Sequence, residues 1–553
     1  MVRIIPLRAY FTGDLRKPIW TLFAAVAFLL LIACSNVSNL FLARGAQRER
    51  ELAIRSALGA ARTRLFRQLL TEGVLYSAIA GALGSIASMA FIPVLKSLSP
   101  AATPLLSSVT LNTRCLIFAL IVSVVIGVLI ALAPAAHNSA QRLSCFLNAA
   151  GRTTTESRAR RRFKSILVAA EFALAMVLLT GAGLLIRSFI SVLNVDLGFH
   201  PQHILTVQVS LPEPTARPQL TAFYREVLQR VSNLPGVTAA GAVGNLFFLD
   251  ERRMHALRLV EGRAPEPKSS WKPLVWTQVA GDYFQAMGIP LLRGRYFNAQ
   301  DRAETPPVVI VNETLARRYW PGEDPIGKRV KGFDPRGQHD DWVTVVGLVK
   351  DTRTGGLEKA PFSEIYEAQT QSNEQLGNLV IRTASEPAPV AAATRKIIHQ
   401  VNPAATIPSI ETMEQLLDAQ LMQRRFETWL IGVFSAIALV LAALGVFAVM
   451  HYSVAAKRNE IGIRMAVGAR AVDILKLILS GGARVAFIGV MTGVVLAIWL
   501  TDAIRGMLFN VRSTDPATFT AAALALIAVA LAASYAPAHR ASRIDPMYAL
   551  RHE

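Results

Sequence analysis

Apolar residues are distributed along this chain in two ways. Long, nearly unbroken runs occupy 19–42, 73–98, 115–136, 165–186, 428–452, 480–504 and 517–536, each close to the roughly twenty residues that cross a bilayer core as a helix. Between 188 and 427 the runs shorten and alternate with polar positions, the pattern of a domain folded in water. The distribution predicts an α-helical polytopic membrane protein with seven spans in the order three, one, three, and an α+β domain inserted between spans four and five. The second run is rich in small residues (Gly73, Ala78, Ala80, Gly81, Gly84, Ser85, Ala87, Ser88), which lets helices approach closely in lipid. The first is interrupted near its far end by Cys34, Ser35, Asn36, Ser38 and Asn39.

Within the inserted domain, Ile204–Leu211 alternates as a half-buried strand does. Leu220, Phe223, Tyr224, Val227, Leu228 and Val231 follow helical spacing, Pro235-Gly236 stops that helix, and Val237–Phe248 reads as a strand, completing a β-α-β pattern. The pattern recurs with a strand at Asn378–Thr383, a helical face of Val390, Thr394, Ile397, Ile398 and Val401, and a strand at Ala405–Ile410. These two halves bracket short strands, among them Val308–Val311 and Trp342–Val349, and glycine turns. Thr412 with Gln415 forms a capping-box pair, and the helix it opens meets no breaker before the fifth span, so a stalk continuous with the membrane is expected.

Charge orients the spans. The chain carries 58 Lys and Arg against 38 Asp and Glu, a net charge of +20, with 52% hydrophobic residues. Nucleic-acid binding would need a basic patch on a soluble fold, whereas here the basic residues sit in short loops beside apolar runs, as cytoplasmic loops do. Arg44, Arg48, Arg50, Arg55, Arg62, Arg64 and Arg67 follow the first run, and Arg142, Arg152, Arg158, Arg160, Arg161, Arg162 and Lys164 precede the fourth. Residues 99–113 contain no Lys or Arg and belong outside with the inserted domain. The expected divisions are an N-terminal stretch (1–18), a three-span unit (19–136), a basic cytoplasmic linker (137–164), a fourth span (165–187), the external domain (188–411), a stalk (412–427) and a second three-span unit with a cytoplasmic tail (428–553). Glu171 is the one acidic residue of the fourth span. It lies within two turns of Lys164 and Arg162, so it is expected to reach toward the headgroups in a structural role, with an intramembrane functional carboxylate as the alternative. Cys34, Cys115 and Cys145 lack metal-ligand spacing and read as apolar fillers.

One stretch occurs twice. Glu51–Ala60 (ELAIRSALGA) and Glu460–Ala469 (EIGIRMAVGA) align without a gap, together with Arg48 on Lys457, Gly59 on Gly468, Gly73 on Gly482 and Gly84 on Gly493. Arg48, Glu51 and Arg55, and again Lys457, Glu460 and Arg464, have the spacing that shares one helix face, beside an apolar side carrying Ile54 or Ile463. The bland reading is a positive-inside anchor with surface ion pairs. That reading accounts for the basic residues but not for a glutamate repeated in register, which favours a docking ridge for a soluble partner. Gly322–Arg329 nearly matches a phosphate loop, but Arg329 stands where Mg²⁺ needs a hydroxyl, and the segment follows a helical pattern and precedes a strand, the reverse of the required order. His200 with His203, and His339 with Asp340 and Asp341, do not supply a ligand set. No nucleophile, base and orienter can be assembled, so neither catalysis nor a cofactor is expected in this chain.

The repeated Glu-x-x-x-Arg-x-x-x-Gly-Ala stretches and the order of spans resemble the FtsX-like permease domain of MacB/FtsX-type ABC transporter permeases. Residues 279–297 (VAGDYFQAMGIPLLRGRYF), 308–330 (VVIVNETLARRYWPGEDPIGKRV) and 343–353 (VTVVGLVKDTR) are similar to the family's periplasmic core domain. The resemblance implies a non-catalytic subunit of the bacterial inner membrane working with a separate cytoplasmic ABC ATPase. It places Arg48, Glu51, Arg55, Gly59, Lys457, Glu460, Arg464 and Gly468 in the ATPase-coupling region. It implies efflux or substrate release, with a periplasmic adaptor as a candidate further partner. A signalling or scaffold protein acting on an external partner such as a cell-wall hydrolase is the rival. Duplicated members of the family carry two complete halves, whereas the first half here lacks a leading span and external domain. Residues 1–18 resemble the tail of that domain, so a fragment or a late start codon is expected, with Arg3, Arg8, Arg16 and Lys17 outside against the positive-inside preference. A cysteine-accessibility map of residues 1–18 is expected to label from outside; labelling only from the cytoplasm overturns the order of spans.

Overall fold

The fold begins with four long helices, α1 (Arg16–Gln47), α2 (Arg62–Leu98), α3 (Thr113–Ala140) and α4 (Arg158–Leu193). The structure is a computed structural model that describes residues 16–47, 62–98, 112–140, 158–212, 216–246, 256–264, 267, 271, 274–333, 341–456 and 458–542. Helix α4 extends beyond both ends of its apolar run, because the Arg and Lys residues before it are good helix formers. One of them, Lys164, is buried with its Nζ 3.4 Å from the centroid of the Tyr452 ring, a cation over a π face.

Glu171 departs from expectation. It does not reach toward the headgroups but is fully buried. The cause is its place on α4: Val168, Phe172, Ala175 and Met176 are buried at the helical spacings around it, so position 171 falls in the middle of the packed stripe.

The external unit spans residues 192–421 and is built on an eleven-stranded sheet. Strand β1 (Ile204–Gln208), helix α5 (Arg217–Ser232) and strand β2 (Val237–Val243) make the first β-α-β pattern. The expected face of α5, Leu220 through Val231, is buried in full. A middle section follows with β3 (Ala256–Val260), β4 (Val275–Gly281), α6 (Tyr283–Met287), β5 (Leu291–Gly294), β6 (Val308–Asn312), α7 (Glu313–Tyr319), β7 (Arg329–Phe333), β8 (Trp342–Val349) and β9 (Glu364–Ala368). The last pattern is β10 (Asn378–Thr383), α8 (Ala388–Val401) and β11 (Ile410–Thr412).

The two β-α-β halves interlock. Strand β10 lies between β1 and β2, antiparallel to both, and β1 lies between β10 and β11. Both helices therefore contribute to one core, in which Leu220, Tyr224 and Val227 pack with Leu379, Ile381, Val390 and Ile398. The strand expected at Ala405–Ile410 is instead an irregular stretch with a single bridge from Ser210 to Thr406, and regular pairing starts at Ile410. Pro408 has no N–H to give a ladder. Strand β2 ends at Val243, short of the expected Phe248, which lies outside the described residues.

The chain then enters α9 (Met413–Ala456), followed by α10 (Arg458–Ala466), α11 (Ala471–Thr501) and α12 (Pro516–Ala541). The capping box at the start of α9 is formed reciprocally: Thr412 N–H donates to Gln415 Oε1 at 2.8 Å, and Gln415 N–H donates to Thr412 Oγ1 at 3.2 Å. The sixth span starts earlier than its expected Ser480 and stops at Thr501, before Ile504. Among the described residues seven helices, α1–α4, α9, α11 and α12, are long and apolar enough to cross a membrane. Contacts are close where glycines permit. A Cβ on Gly489 would stand 2.6 Å from the Ala169 carbonyl oxygen, and one on Gly493 would stand 2.6 Å from Met176 Cβ.

Two carboxyls of the external unit are buried on β9. Glu364 is fully buried, accepts from Thr352 Oγ1 at 3.1 Å, and is also bonded by the Thr354 and Tyr366 hydroxyls. Glu367 accepts from Trp276 Nε1 at 3.1 Å and Gln278 Nε2 at 3.3 Å. Burial pushes each carboxyl from its ordinary 4.5 up to about 7. The folded domain thus holds protons that the unfolded chain has lost, and stability present below 4.5 declines as pH rises through about 7. The thermal transition of this domain in the full chain is expected to be higher at pH ~5 than at pH ~8, by on the order of 3 kcal/mol per carboxyl at most. Combined Glu364→Gln and Glu367→Gln should flatten that dependence; an unchanged slope would show that other groups set it.

Candidate functional site

The second copy of the repeated stretch forms α10 and the turn after it. Arg464 Nη2 donates to Glu460 Oε1 at 2.7 Å, an i,i+4 ion pair with the two side chains 48% and 49% exposed. The exposed ridge expected at Glu460 and Arg464 is therefore present as geometry. Exposure leaves the pair worth little in stability and leaves both charges accessible. Gly468 ends the helix with φ +105, its N–H bonded to the Met465 carbonyl at 3.1 Å, while Ala469 N–H reaches the Arg464 carbonyl at 3.0 Å. Positive φ is where glycine is favoured over other residues. Directly afterwards Arg470 N–H donates to Asp473 Oδ2 at 3.1 Å, starting α11.

The packed contact of α10 is made by a residue that the spacing did not single out. Ile461 is the anchor, 2% exposed against Ile474 of α11 and Ala541 of α12. Ile463 is 52% exposed, and Val467 and Val472, which follow it in the chain, are also exposed. The ridge therefore borders uncovered aliphatic residues. In a helix this short the packed face is decided by α11 and α12, not by spacing within α10. Arg48, Glu51, Arg55, Gly59 and Lys457 lie outside the described residues.

The segment resembling a phosphate loop is a turn between α7 and β7. Gly322 and Gly327 have φ near +80. The N–H groups of Glu323, Gly327 and Lys328 donate to the carbonyls of Trp320, Val345 and Pro325. Lys328 pairs with Glu323 at 2.9 Å, and Arg329 Nε donates to Glu261 at 3.0 Å. Its donors bind the domain itself, as a structural turn requires.

A second polar constellation, at the opposite end of the membrane helices, was not singled out by sequence reasoning. Arg424 donates to Ser188 Oγ at 2.9 Å and to the Met507 carbonyl, and Phe509 N–H donates to the same Ser188 Oγ at 2.7 Å. Arg187 pairs with Asp515, which caps α12 by accepting from Thr518 N–H at 3.0 Å. Helices α4, α9 and α12 and the α11–α12 connection are joined there. The available sequence signal was the set of charges at span ends, which reads equally well as interfacial anchoring.

Seven apolar helices, a cytoplasmic ion-paired helix and an inserted α+β domain define a polytopic permease-type membrane protein. Two family models cover most of the chain: the FtsX-like permease C-terminal domain matches residues 23–141 and 432–546, and the MacB-like periplasmic core domain matches residues 165–400. The chain belongs to the MacB/FtsX-type ABC transporter permease family. It is a multi-pass inner-membrane protein whose α+β domain is extracytoplasmic. The chain is 30% identical over 279 residues to a macrolide export ATP-binding/permease protein MacB of Marinobacter nauticus, covering 48% of this chain and 41% of that protein. It is 27% identical over 376 residues to the MacB of an Azoarcus species, covering 64% and 51%. It is 27% identical over 275 residues to the pyoverdine export ATP-binding/permease protein PvdT of Pseudomonas syringae, covering 48% and 40%. The chain thus spans about half the length of the curated relatives it matches. The periplasmic region of MacB from Actinobacillus actinomycetemcomitans aligns over 41% of this chain and 95% of that one, at 12% identity and a TM-score of 0.28.

Because Ile461 anchors α10 and Ile463 does not, Ile461→Ala is expected to cost about 2–4 kcal/mol locally and to speed amide exchange in 458–469. Ile463→Ala should leave exchange unchanged. Equal effects of the two would refute the assignment of the buried face.

Proposed function

We propose that this chain couples nucleotide-driven movement of a separate cytoplasmic ABC ATPase to its extracytoplasmic domain, for efflux or substrate release, and is not itself catalytic. The observation that carries the reading is the exposed Glu460–Arg464 pair on a helix packed through Ile461, in a stretch of chain that also leaves Ile463, Val467 and Val472 uncovered. Charged side chains rimming exposed aliphatic ones suit a protein partner, with the charges setting orientation and encounter and the aliphatics supplying area. The repeat extends the reading to Arg48, Glu51, Arg55 and Gly59, and to Lys457 and Gly468, as the rest of the coupling surface. The matched segments correspond to permease and periplasmic core domains, which supports the permease part of this reading. The relatives named for macrolide and pyoverdine export support an export role. A periplasmic adaptor is the external partner we assign by the same likeness.

Charge reversal tests the coupling. Glu460→Arg in the full chain is expected to lower ATPase co-purification about tenfold, the equivalent of about 1.4 kcal/mol, with a matching fall in membrane-stimulated ATP turnover. The exchange Glu460→Arg with Arg464→Glu restores the internal pair and separates partner docking from helix stability. Unchanged association and turnover with Glu51→Arg and Glu460→Arg combined would sink the proposal. Intact association with an envelope phenotype but no exported molecule would support the scaffold reading in its place.

A further inference from the structure

Glu171 has no part in the coupling ridge, yet it is surrounded by groups that a plain core position does not need. It is fully buried in α4, and its Oε1 accepts from Asn39 Nδ2 of α1 at 3.4 Å. Its Oε2 has no hydrogen-bond partner, and neither has Oδ1 of Asn39, a side chain only 4% exposed. Asn36, one turn earlier on α1, turns its Nδ2 to the Leu441 carbonyl of α9 at 2.9 Å. Its Oδ1 is left on the side of the carboxyl. A Cβ placed on Gly445 of α9 would stand 2.0 Å from Glu171 Oε2 and 3.0 Å from Asn36 Oδ1, so both oxygens crowd the same point. Ser35 Oγ donates to the Leu167 carbonyl at 3.2 Å and closes the cluster on the α4 side.

Acceptor oxygens of α1 and α4 thus gather here: Glu171 Oε2 and Asn36 Oδ1 crowd the bare backbone of α9, and the third, Asn39 Oδ1, belongs to the residue that donates to the carboxyl. Acceptors alone repel one another, and an uncompensated carboxylate in a dry interior costs several kcal/mol. The charged and titratable groups of the packed helices lie elsewhere. Lys164 of α4 is held over Tyr452, and Arg162 is exposed. On α1, Cys34 is half-buried; on α9, His451 is exposed and stacks on Phe447, while Arg424 and Glu427 are five turns or so from Gly445. On α11, Asp473, Lys476 and Arg484 are exposed. What the three oxygens share is affinity for one small positive ion. A proton on Glu171 would turn Oε2 from an unpaired acceptor into a donor, and Na⁺ takes oxygen ligands of this kind.

We propose that Glu171, Asn39 and Asn36 form an intramembrane site for a single monovalent cation, a proton or Na⁺, where α1 of the first repeat meets α9 of the second. Bound, the cation neutralises the carboxyl and holds α1 on α4 and α9; parting of α1 from α9 opens the cluster and releases the ion. The site is independent of the coupling surface on α10.

The test is infrared difference spectroscopy on the full chain in lipid nanodiscs at neutral pH, wild type minus Glu171→Gln, first in choline buffer and then with Na⁺. A protonated-carboxyl band lost in Glu171→Gln and unmoved by Na⁺ identifies a proton site. The same band replaced by an ionised-carboxylate band on adding Na⁺ identifies a Na⁺ site. An ionised Glu171 in choline that ignores Na⁺, or identical spectra for wild type and variant, overturns the proposal. Gly445→Ala is the second variant, for the case in which Glu171→Gln does not fold. Its methyl occupies the point where Oε2 now lies and is expected to shift or abolish the Glu171 band with the carboxyl still in the chain; an unmoved band also overturns the proposal.

Discussion

Helices in lipid gain nothing by hiding apolar side chains from one another, so close backbone approach is what holds this membrane unit together. The approach is made at glycine. Gly489 and Gly493 of α11 admit the Ala169–Met176 stretch of α4, and Gly482 admits Ser534 of α12. A side chain at any of these positions would push the helix axes apart. Helix α4 is the most buried of the seven, and its packed stripe, Val168 through Met176, faces this tight contact together with α1 and α9. The polar contacts that cross between its helices depend on that closeness, because Asn, Ser and Glu side chains are too short to bridge helices held at ordinary separation.

Two levels of polar contact use that closeness. Within the bundle, Ser435 Oγ donates to the Leu178 carbonyl at 2.8 Å and Asn36 reaches the Leu441 carbonyl, so single hydroxyl and amide groups join α9 to α4 and α1 to α9. Such bonds contribute only ~0.6 kcal/mol on average in membranes, enough to fix rotation about the helix axis but not to replace packing. At the extracytoplasmic ends the Arg187–Asp515 ion pair and the hydrogen bond from Arg424 to Ser188 take over, where headgroups and water solvate charge. On the cytoplasmic side the anchor is apolar again, Ile461 against Ile474 and Ala541, and the charges of α10 are left facing outward.

How much of this was legible in the chain follows from how local each feature is. The seven spans, the buried face of α5 and the Thr412–Gln415 box are each written in one continuous stretch, and among the described residues the structure shows them, with the sixth span's ends shifted. The interlocked sheet is not local. Strand β10 separates β1 from β2 though it follows them by more than a hundred residues, and nothing in Asn378–Thr383 names its neighbours. The face of Glu171 was within reach, since Val168, Phe172, Ala175 and Met176 mark a stripe around it, but the basic residues about two turns or more away, Lys164 and Arg162, suggested a headgroup position instead. For α10 the spacing gave the ion pair but not which aliphatic residue packs, because Ile461 and Ile463 differ only in what α11 and α12 bring against them. The first copy of the ridge, from Arg48 to Gly59, and Lys457 of the second lie outside the described residues.

The repeat register adds a relation that neither copy shows alone. It aligns position 36 with position 445, and these two positions face one another across the α1–α9 contact. Equivalent positions meeting face to face is the signature of an isologous, two-fold-like contact, here made within one chain. The two residues nevertheless differ, Asn36 against Gly445, and the difference is what the third helix requires. An asparagine at 445 would occupy the space now filled by the Glu171 carboxyl, 2.0 Å from where its Cβ would begin. A glycine at 36 would remove the amide that bonds Leu441 and leave the carboxyl with one polar neighbour fewer. An Asn–Asn pair would clash with the buried glutamate, and a Gly–Gly pair would strip it of a polar neighbour. The asymmetry of the two copies and the burial of Glu171 are therefore one structural fact, set by which helix the α1–α9 contact has to accommodate.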